Sequence, residues 1–169
     1  MKFLKISSVD VSNQIIQRDR YAEYFCFLAN VATTLDKIGV EIRSLQRTEI
    51  GEVEEAFGAR QVGSSTMPHK RNPIKSEQVC GLARIIRSSV EPAFQNNTLW
   101  DERDLTNSSP ERILFPEATI LADHILKNMI SVLEGLNLKE DRIKENLSML
   151  HGINMAESIM IELTKKGMG

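Results

Sequence analysis

The sequence predicts an all-α protein built as a bundle of long helices, and three observations carry that prediction. From Gln14 to about Thr48 there is no proline, and Tyr21, Phe25, Leu28, Ala32, Leu35, Gly39, Ile42 and Leu45 recur with 4-3 spacing, the seam of a bundle helix. Aromatic residues are 5% of the 169 and prolines number five, a composition that suits helices better than sheets. Two more apolar-periodic runs follow, one beyond Pro73 and one beyond Pro110.

Taken in order, the first helix has roughly 33 residues and a length of roughly 50 Å, its apolar stripe is core, and Gly39 permits a close helix crossing. After Glu55 the pattern breaks into AFGARQVGSSTMPHKRNPIKSE, a long loop punctuated by Gly58, Gly63, Pro68 and Pro73. Pro73 fits the first turn of a second helix that runs through Val79, Leu82, Ile85, Ile86 and Val90 to about Pro92. A polar stretch, QNNTLWDERDLTNSSPERI, precedes the third helix, Ile113 to Gly135, with Ser108 or Ser109 as cap and Pro110 at its first position. Asn137 and Leu138 start a short helix, Lys139 to about Leu147, and a final helix spans about Asn154 to Lys166, with Gly167 as its C-cap. Residues 1–148 read as part of a helical-bundle domain that includes the loop at 58–75, and residues 149–169 as the start of a small helical C-terminal domain. Both ends read as cut rather than finished.

A length of one domain, 41% hydrophobic and 26% charged residues mark a globular chain able to bury about two thirds of its unfolded surface. A formal charge of -2 gives no global reason to expect nucleic acid or an acidic membrane as partner, so any anion site is local. The first residues, MKFLKISSVDVSN, are too short in apolar content for a signal peptide or a membrane span. Cys26 and Cys80, far apart and outside any CxxC pattern, read as reduced thiols of a cytoplasmic protein.

The unusual residues concentrate in the two polar segments. In the first, Gly63, Ser64, Ser65 and Thr66 put hydroxyls on a glycine-bearing backbone, and Lys70 and Arg71 add positive charge just before a helix N-terminus, which favours anions. Lysine and backbone donors are the surroundings that stabilise a serine alkoxide, yet a solvated glycine-serine loop beside a basic patch explains the same residues. In the second, Arg103 and Arg112 present forks suited to carboxylate or phosphate. Against that, Asp101, Glu102, Asp104 and Glu111 could neutralise both in a salt-bridged turn. On spacing alone the two readings are even.

The string GSSTMPHKRNPIKSE, residues 63–77, resembles the signature of the fumarase/aspartase superfamily, GSSxMPxKxNP, at eight defined positions in eleven. WDERDLTNSSPER, residues 100–112, and LQRTEIGEVEE, residues 45–55, resemble its adenylosuccinate lyase branch, and the likeness runs from about Asn13 to Gly169. The resemblance implies an incomplete long-helix bundle of that superfamily that eliminates fumarate from adenylosuccinate, giving AMP, and from SAICAR, giving AICAR. It implies Ser64 as the general base, with Gln14, Ser65, Lys70, Asn72, Gln78, Arg103, Ser108 and Arg112 as substrate-binding residues, and neither a metal nor a cofactor. Lys70 and Asn72 would hold the succinyl carboxylates; Arg103, Ser108 and Arg112 would hold the nucleotide.

In that family the general acid is a histidine, and none of His69, His124 and His151 matches its motif. His69 reads as a loop-ordering residue; the other two read as ordinary helix residues. The sequence therefore reads as a fragment, lacking the amino-terminal part and most of the carboxy-terminal domain and inactive alone. The expected partners are a small-molecule substrate, further copies in a homotetramer, and a complementary polypeptide that supplies the acid. The alternatives are a catalytically inert helical oligomerisation module and a superfamily lyase of the carboxymuconate cycloisomerase type.

Overall fold

Apolar residues three and four apart put one buried seam on each of the long helices, and those seams meet. The computed structural model describes residues 7–12, 14–56, 71–101 and 103–167. Its helices are α1 (Asp19–Leu45), α2 (Ile74–Ser88), α3 (Val90–Gln95), α4 (Ser108–Glu134), α5 (Glu140–Ser148) and α6 (Ala156–Lys165), with a 3-10 turn at Ile153–Met155. Two short strands, β1 (Val53–Glu54) and β2 (Asn137–Leu138), pair antiparallel.

On α1 the buried positions are Ala22, Phe25, Leu28, Ala32, Leu35, Gly39 and Ile42, the expected stripe except that Ala22 stands in place of Tyr21 and that Tyr21 and Leu45 are half-buried. They face Val79, Ala83 and Ile86 of α2 and Ala118, Ala122, Ile125, Met129 and Val132 of α4. α2 runs antiparallel to α1, since Gly39 faces Cys80 while Asp36 receives a hydrogen bond from Arg87 further along α2. α4 runs parallel to α1: Tyr24 meets Thr119 near their starts, and Met129 lies near Gly39 towards their ends. Phe115 anchors the starting end, with its ring centroid 5.0 Å from Tyr21 and 4.9 Å from Phe25. Such aromatic pairs add about 0.5–1.5 kcal/mol each beyond their burial. Among the described residues no helix is long and apolar enough to cross a membrane.

Several boundaries differ from the sequence expectation, each for a local reason. α1 has 27 residues and starts at Asp19 rather than near Gln14. The Arg18 side chain reaches across to Glu111 and back to the Ile16 carbonyl, turning the preceding chain away from the helix axis. At the other end the Arg47 carbonyl takes the N–H groups of Ile50 and Gly51, and Gly51 adopts a left-handed φ of 65°. The second helix breaks at Ser89, because Pro92 has no N–H for the Ser88 carbonyl and its ring crowds that group. α4 begins at Ser108 with Asn107 at the cap position, so Pro110 is third rather than first. It also contains Pro116, which leaves the Arg112 carbonyl without its helical partner.

Asn137 and Leu138 do not start a helix; their backbones pair with Glu54 and Val53. Val53 is buried, and Lys139 N–H continues the ladder to the Glu52 carbonyl at 2.9 Å. α5 has no buried residue and is tied down by polar bonds: Arg142 donates to the Ile50 and Glu49 carbonyls, and Asn146 to the Ile50 carbonyl and to Glu52. His151 is not helical; it sits in a turn with φ 48°, next to Gly152 at φ 90°. α4 leaves Ile113, Ile120, Ile130 and Leu133 exposed on its outer side, and every residue of α6 is exposed.

Two glycines separate packing from helix propensity. A Cβ on Gly39 would lie 2.8 Å from Cys80 Sγ and 3.2 Å from the Ser76 carbonyl oxygen, whereas a Cβ on Gly81 meets nothing within 4 Å. Gly81→Ala is expected to stabilise the chain by about 0.5–1 kcal/mol through backbone entropy. Gly39→Ala makes the same gain but loses about 1–3 kcal/mol to overpacking, so it destabilises. Urea unfolding followed by circular dichroism reads both, and midpoint shifts of the same sign would refute the packing account.

Candidate active site

The candidates Ser64, Ser65 and Lys70, together with His69, lie outside the described residues, so this part of the site is seen through its stems. One stem is Val53 to Ala56, the other Arg71 to Ser76. The Glu55 side chain is buried between them, and its carboxylate accepts hydrogen bonds from the N–H groups of Lys75 at 3.3 Å and Ser76 at 2.9 Å, and from the Ser76 hydroxyl. These are first-turn amides of α2, whose own cap position is Pro73 and offers no side-chain acceptor. The expected anion-favouring helix terminus is therefore already matched to an internal carboxylate.

Gln46, at the end of α1, holds both stems with one amide. Its Oε1 accepts from Glu55 N–H at 2.9 Å, and its Nε2 donates to the Arg71 carbonyl at 3.2 Å. Glu54 adds ion pairs to Arg71 and to Lys139 at 2.7 Å, and Lys75 Nζ reaches Ser131 Oγ of α4 at 2.7 Å. Ala56 packs so closely on Gly135 that a Cβ there would lie 2.7 Å from its methyl group. The candidate Asn72 lines an open cleft of about 1050 Å³ with Arg47, Arg71, Lys139 and Arg142, while the candidate Gln78 is exposed on α2.

The remaining candidates, Gln14, Arg103, Ser108 and Arg112, lie at the other end of the bundle. Asp104 organises the turn before α4, accepting from Trp100 N–H at 2.9 Å, Thr106 N–H at 2.8 Å and the Thr106 hydroxyl. The Thr106 hydroxyl and those amides hold its carboxyl below the usual carboxylate range, so at neutral pH it is charged and engaged. Glu111 Oε1 accepts from Arg18 Nε at 2.8 Å and from Asn107 Nδ2 at 3.2 Å, and its Oε2 from Arg18 Nη2 at 3.3 Å. Arg103 and Arg112 are exposed, and among the described residues neither has an ion-pair partner. Two of the acids that could have neutralised them are thus engaged elsewhere.

The two ends are separated by the length of α1, 27 residues or about 40 Å. The structure brings Ser108 and Arg112 together on the first turns of α4, and places Asn72 and Gln78 far from them. Sequence reasoning missed Gln46, Glu55 and Arg18. The available signal for Glu55 was a run of acids ahead of a helix whose first turn carries no Ser, Thr, Asp or Asn at its cap.

A protein-family model described as Lyase matches residues 2–87. The chain is 57% identical over its whole length to the adenylosuccinate lyase of Pyrococcus horikoshii, covering 38% of that protein. It is 58% identical to that of Methanothermobacter thermautotrophicus, over 99% of this chain and 38% of the relative. The chain thus spans 38% of the length of these curated relatives. Among solved structures, 3-carboxy-cis,cis-muconate lactonizing enzyme from Pseudomonas putida superposes with a TM-score of 0.81 at 30% identity, over 97% of this chain and 35% of that one.

The stem charges give a pH dependence. Hydrogen bonds from Lys139 and then Arg71 hold the Glu54 carboxyl below its ordinary value of 4.5, outweighing the upward push of burial. A folded pKa below the unfolded one adds stability that is present above about pH 4.5 and lost as pH falls through the folded value. Glu54→Gln is expected to lower the urea midpoint at neutral pH and to flatten its decline in acid. A decline as steep as that of the unaltered chain would remove Glu54 from the account.

Proposed function

The chain belongs to the lyase family, and from that premise we propose that it supplies the base and much of the substrate-binding surface of an adenylosuccinate lyase. The reaction is β-elimination of fumarate from adenylosuccinate to give AMP, and from SAICAR to give AICAR. Ser64, as its alkoxide, takes the proton from the carbon next to a succinyl carboxylate. The electron pair left behind is delocalised into that carboxylate as a doubly charged aci-carboxylate, and its collapse breaks the carbon–nitrogen bond. Lys70 and Asn72 bind the carboxylates and offset the charge that develops there; Ser65 and Gln78 complete that end. Arg103, Ser108 and Arg112, with Gln14, hold the nucleotide and its phosphate.

The observation that carries this reading is that Arg103 and Arg112 have no ion-pair partner among the described residues, with Asp104 and Glu111 committed to other partners. Ion pairs from these acids to Arg103 and Arg112 would have argued for a purely structural segment. Identity of 57% to an adenylosuccinate lyase, against 30% to the lactonizing enzyme, favours this substrate over the carboxymuconate type.

A small molecule does not bridge about 40 Å, so Asn72 and Arg112 of one chain serve different copies of the site. Assembly into a tetramer, by burial of the exposed apolar side of α4, brings complementary ends together. The proton for the leaving nitrogen comes from a histidine other than His69, His124 and His151. The protein works in the cytoplasm. Residues 1–148 form the bundle and 149–169 open a second helical domain, in keeping with the absence of buried side chains on α6. Those exposed apolar faces equally favour a second reading, an inert oligomerisation module.

A chimera separates the two. With this chain replacing the matching segment of the Pyrococcus horikoshii protein, fumarate release followed by absorbance is expected to persist and to fall about 10²–10⁴-fold on Ser64→Ala. A folded, tetrameric chimera without activity would leave only the oligomerisation reading. The isolated chain is expected to release no fumarate.

A further inference from the structure

We propose that Glu111 is a positioning residue for the nucleotide end of the site, an inference that rests on the reading just given. Through Arg18 it ties the segment carrying Gln14 to the helix start carrying Ser108 and Arg112, and by the same bonds it is kept off those arginines.

Three bonds converge on its carboxylate. Arg18 makes a two-point contact, Nε to Oε1 at 2.8 Å and Nη2 to Oε2 at 3.3 Å, between side chains only 12% and 15% exposed. Asn107, fully buried at the cap of α4, donates its Nδ2 to Oε1 at 3.2 Å. Among the described residues the Oδ1 of Asn107 has no hydrogen-bond partner, so the amide's contribution is its donor to Glu111. The remaining Arg18 nitrogen, Nη1, donates to the Ile16 carbonyl, two residues beyond Gln14, and its guanidinium carbon lies 5.3 Å from the centre of the Tyr21 ring.

A carboxylate next to Arg112 in sequence would ordinarily compete with an anionic ligand for it. A planar fork in a partly desolvated site is the stronger claim on the carboxylate, because both charges gain paired hydrogen bonds and lose little to solvent screening. Arg18 thereby removes the competitor and fixes the backbone on both sides of it. Ser108 follows Asn107 and Arg112 follows Glu111, so the two ligand-facing residues sit beside the two members of the network on α4.

Charge counting and positioning predict opposite signs for Glu111→Ala. If Glu111 matters only as a negative charge, Glu111→Ala binds an anion more tightly, Arg18→Ala more weakly, and the double variant about as the unaltered chain. If it positions the site, each single variant weakens binding by roughly tenfold and the double variant is no worse than either, because one interaction is lost in all three. The probe is AMP, titrated into the whole chain labelled with ¹⁵N and followed through the side-chain Nε–Hε signals of Arg103 and Arg112. Circular dichroism checks that helix content is unchanged, and Glu111→Gln, which keeps the shape, serves if the alanine variant does not fold.

The expected result is AMP-dependent shifts at Arg112 in the unaltered chain and the tenfold, non-additive loss. Shifts in the unaltered chain with equal or tighter binding by Glu111→Ala overturn the inference alone. No shift at either arginine in the unaltered chain overturns the nucleotide reading and this inference with it.

Discussion

A buried carboxylate at the start of a helix costs a great deal of solvation unless donors replace the water it loses. Glu55 meets that condition with two α2 amides and the Ser76 hydroxyl, while its own N–H is held by Gln46. The same bonds supply the helix with the cap that Pro73 cannot provide. The packing of α2 against α1, with Gly39 opposite Cys80, is downstream of that arrangement, because it fixes where the axis of α2 begins. The strand pair and α5 are in turn docked on the connection that presents Glu55.

At the opposite end the same principle is used differently. Acids there are also matched to internal donors, Asp104 to a turn and Glu111 to Arg18, and Arg103 and Arg112 are left exposed with no ion-pair partner among the described residues. Sorting of charge at one end caps a helix; at the other it leaves two cations facing solvent. The long helices keep these two results about 40 Å apart, which turns an intramolecular fold into an intermolecular requirement for any site that uses both.

The bundle was legible because its signal is periodic. The 4-3 stripe from Phe25 to Ile42 is buried as its spacing demands, as are Ile125, Met129 and Val132 of the predicted third helix though not Ile113 at its start, and Gly39 lies at the close crossing. What escaped was set by partners distant in sequence. Arg18 makes α1 start late because of Glu111, 93 residues away, and Asn137 and Leu138 become a strand because Val53 and Glu54 offer them a ladder. Ser89 breaks the second helix under the influence of a proline three residues on, a local rule that the apolar period concealed. At the site, spacing left the role of Arg103 and Arg112 even. The partners that Asp104 and Glu111 take, a turn and Arg18, were not legible there, since composition does not say which acid a base will meet.

The Gln46 amide touches the backbone on both sides of the sequence between Ala56 and Arg71, so that stretch begins and ends at one small area of the bundle. In polymer terms it is a ring already closed by the scaffold. Closure entropy grows only with the logarithm of ring size, so residues can be exchanged, added or removed inside the ring at small cost to the helices that close it. A scaffold of this kind is held together up to Glu55 and again from Arg71 by bonds that do not involve the sequence between them.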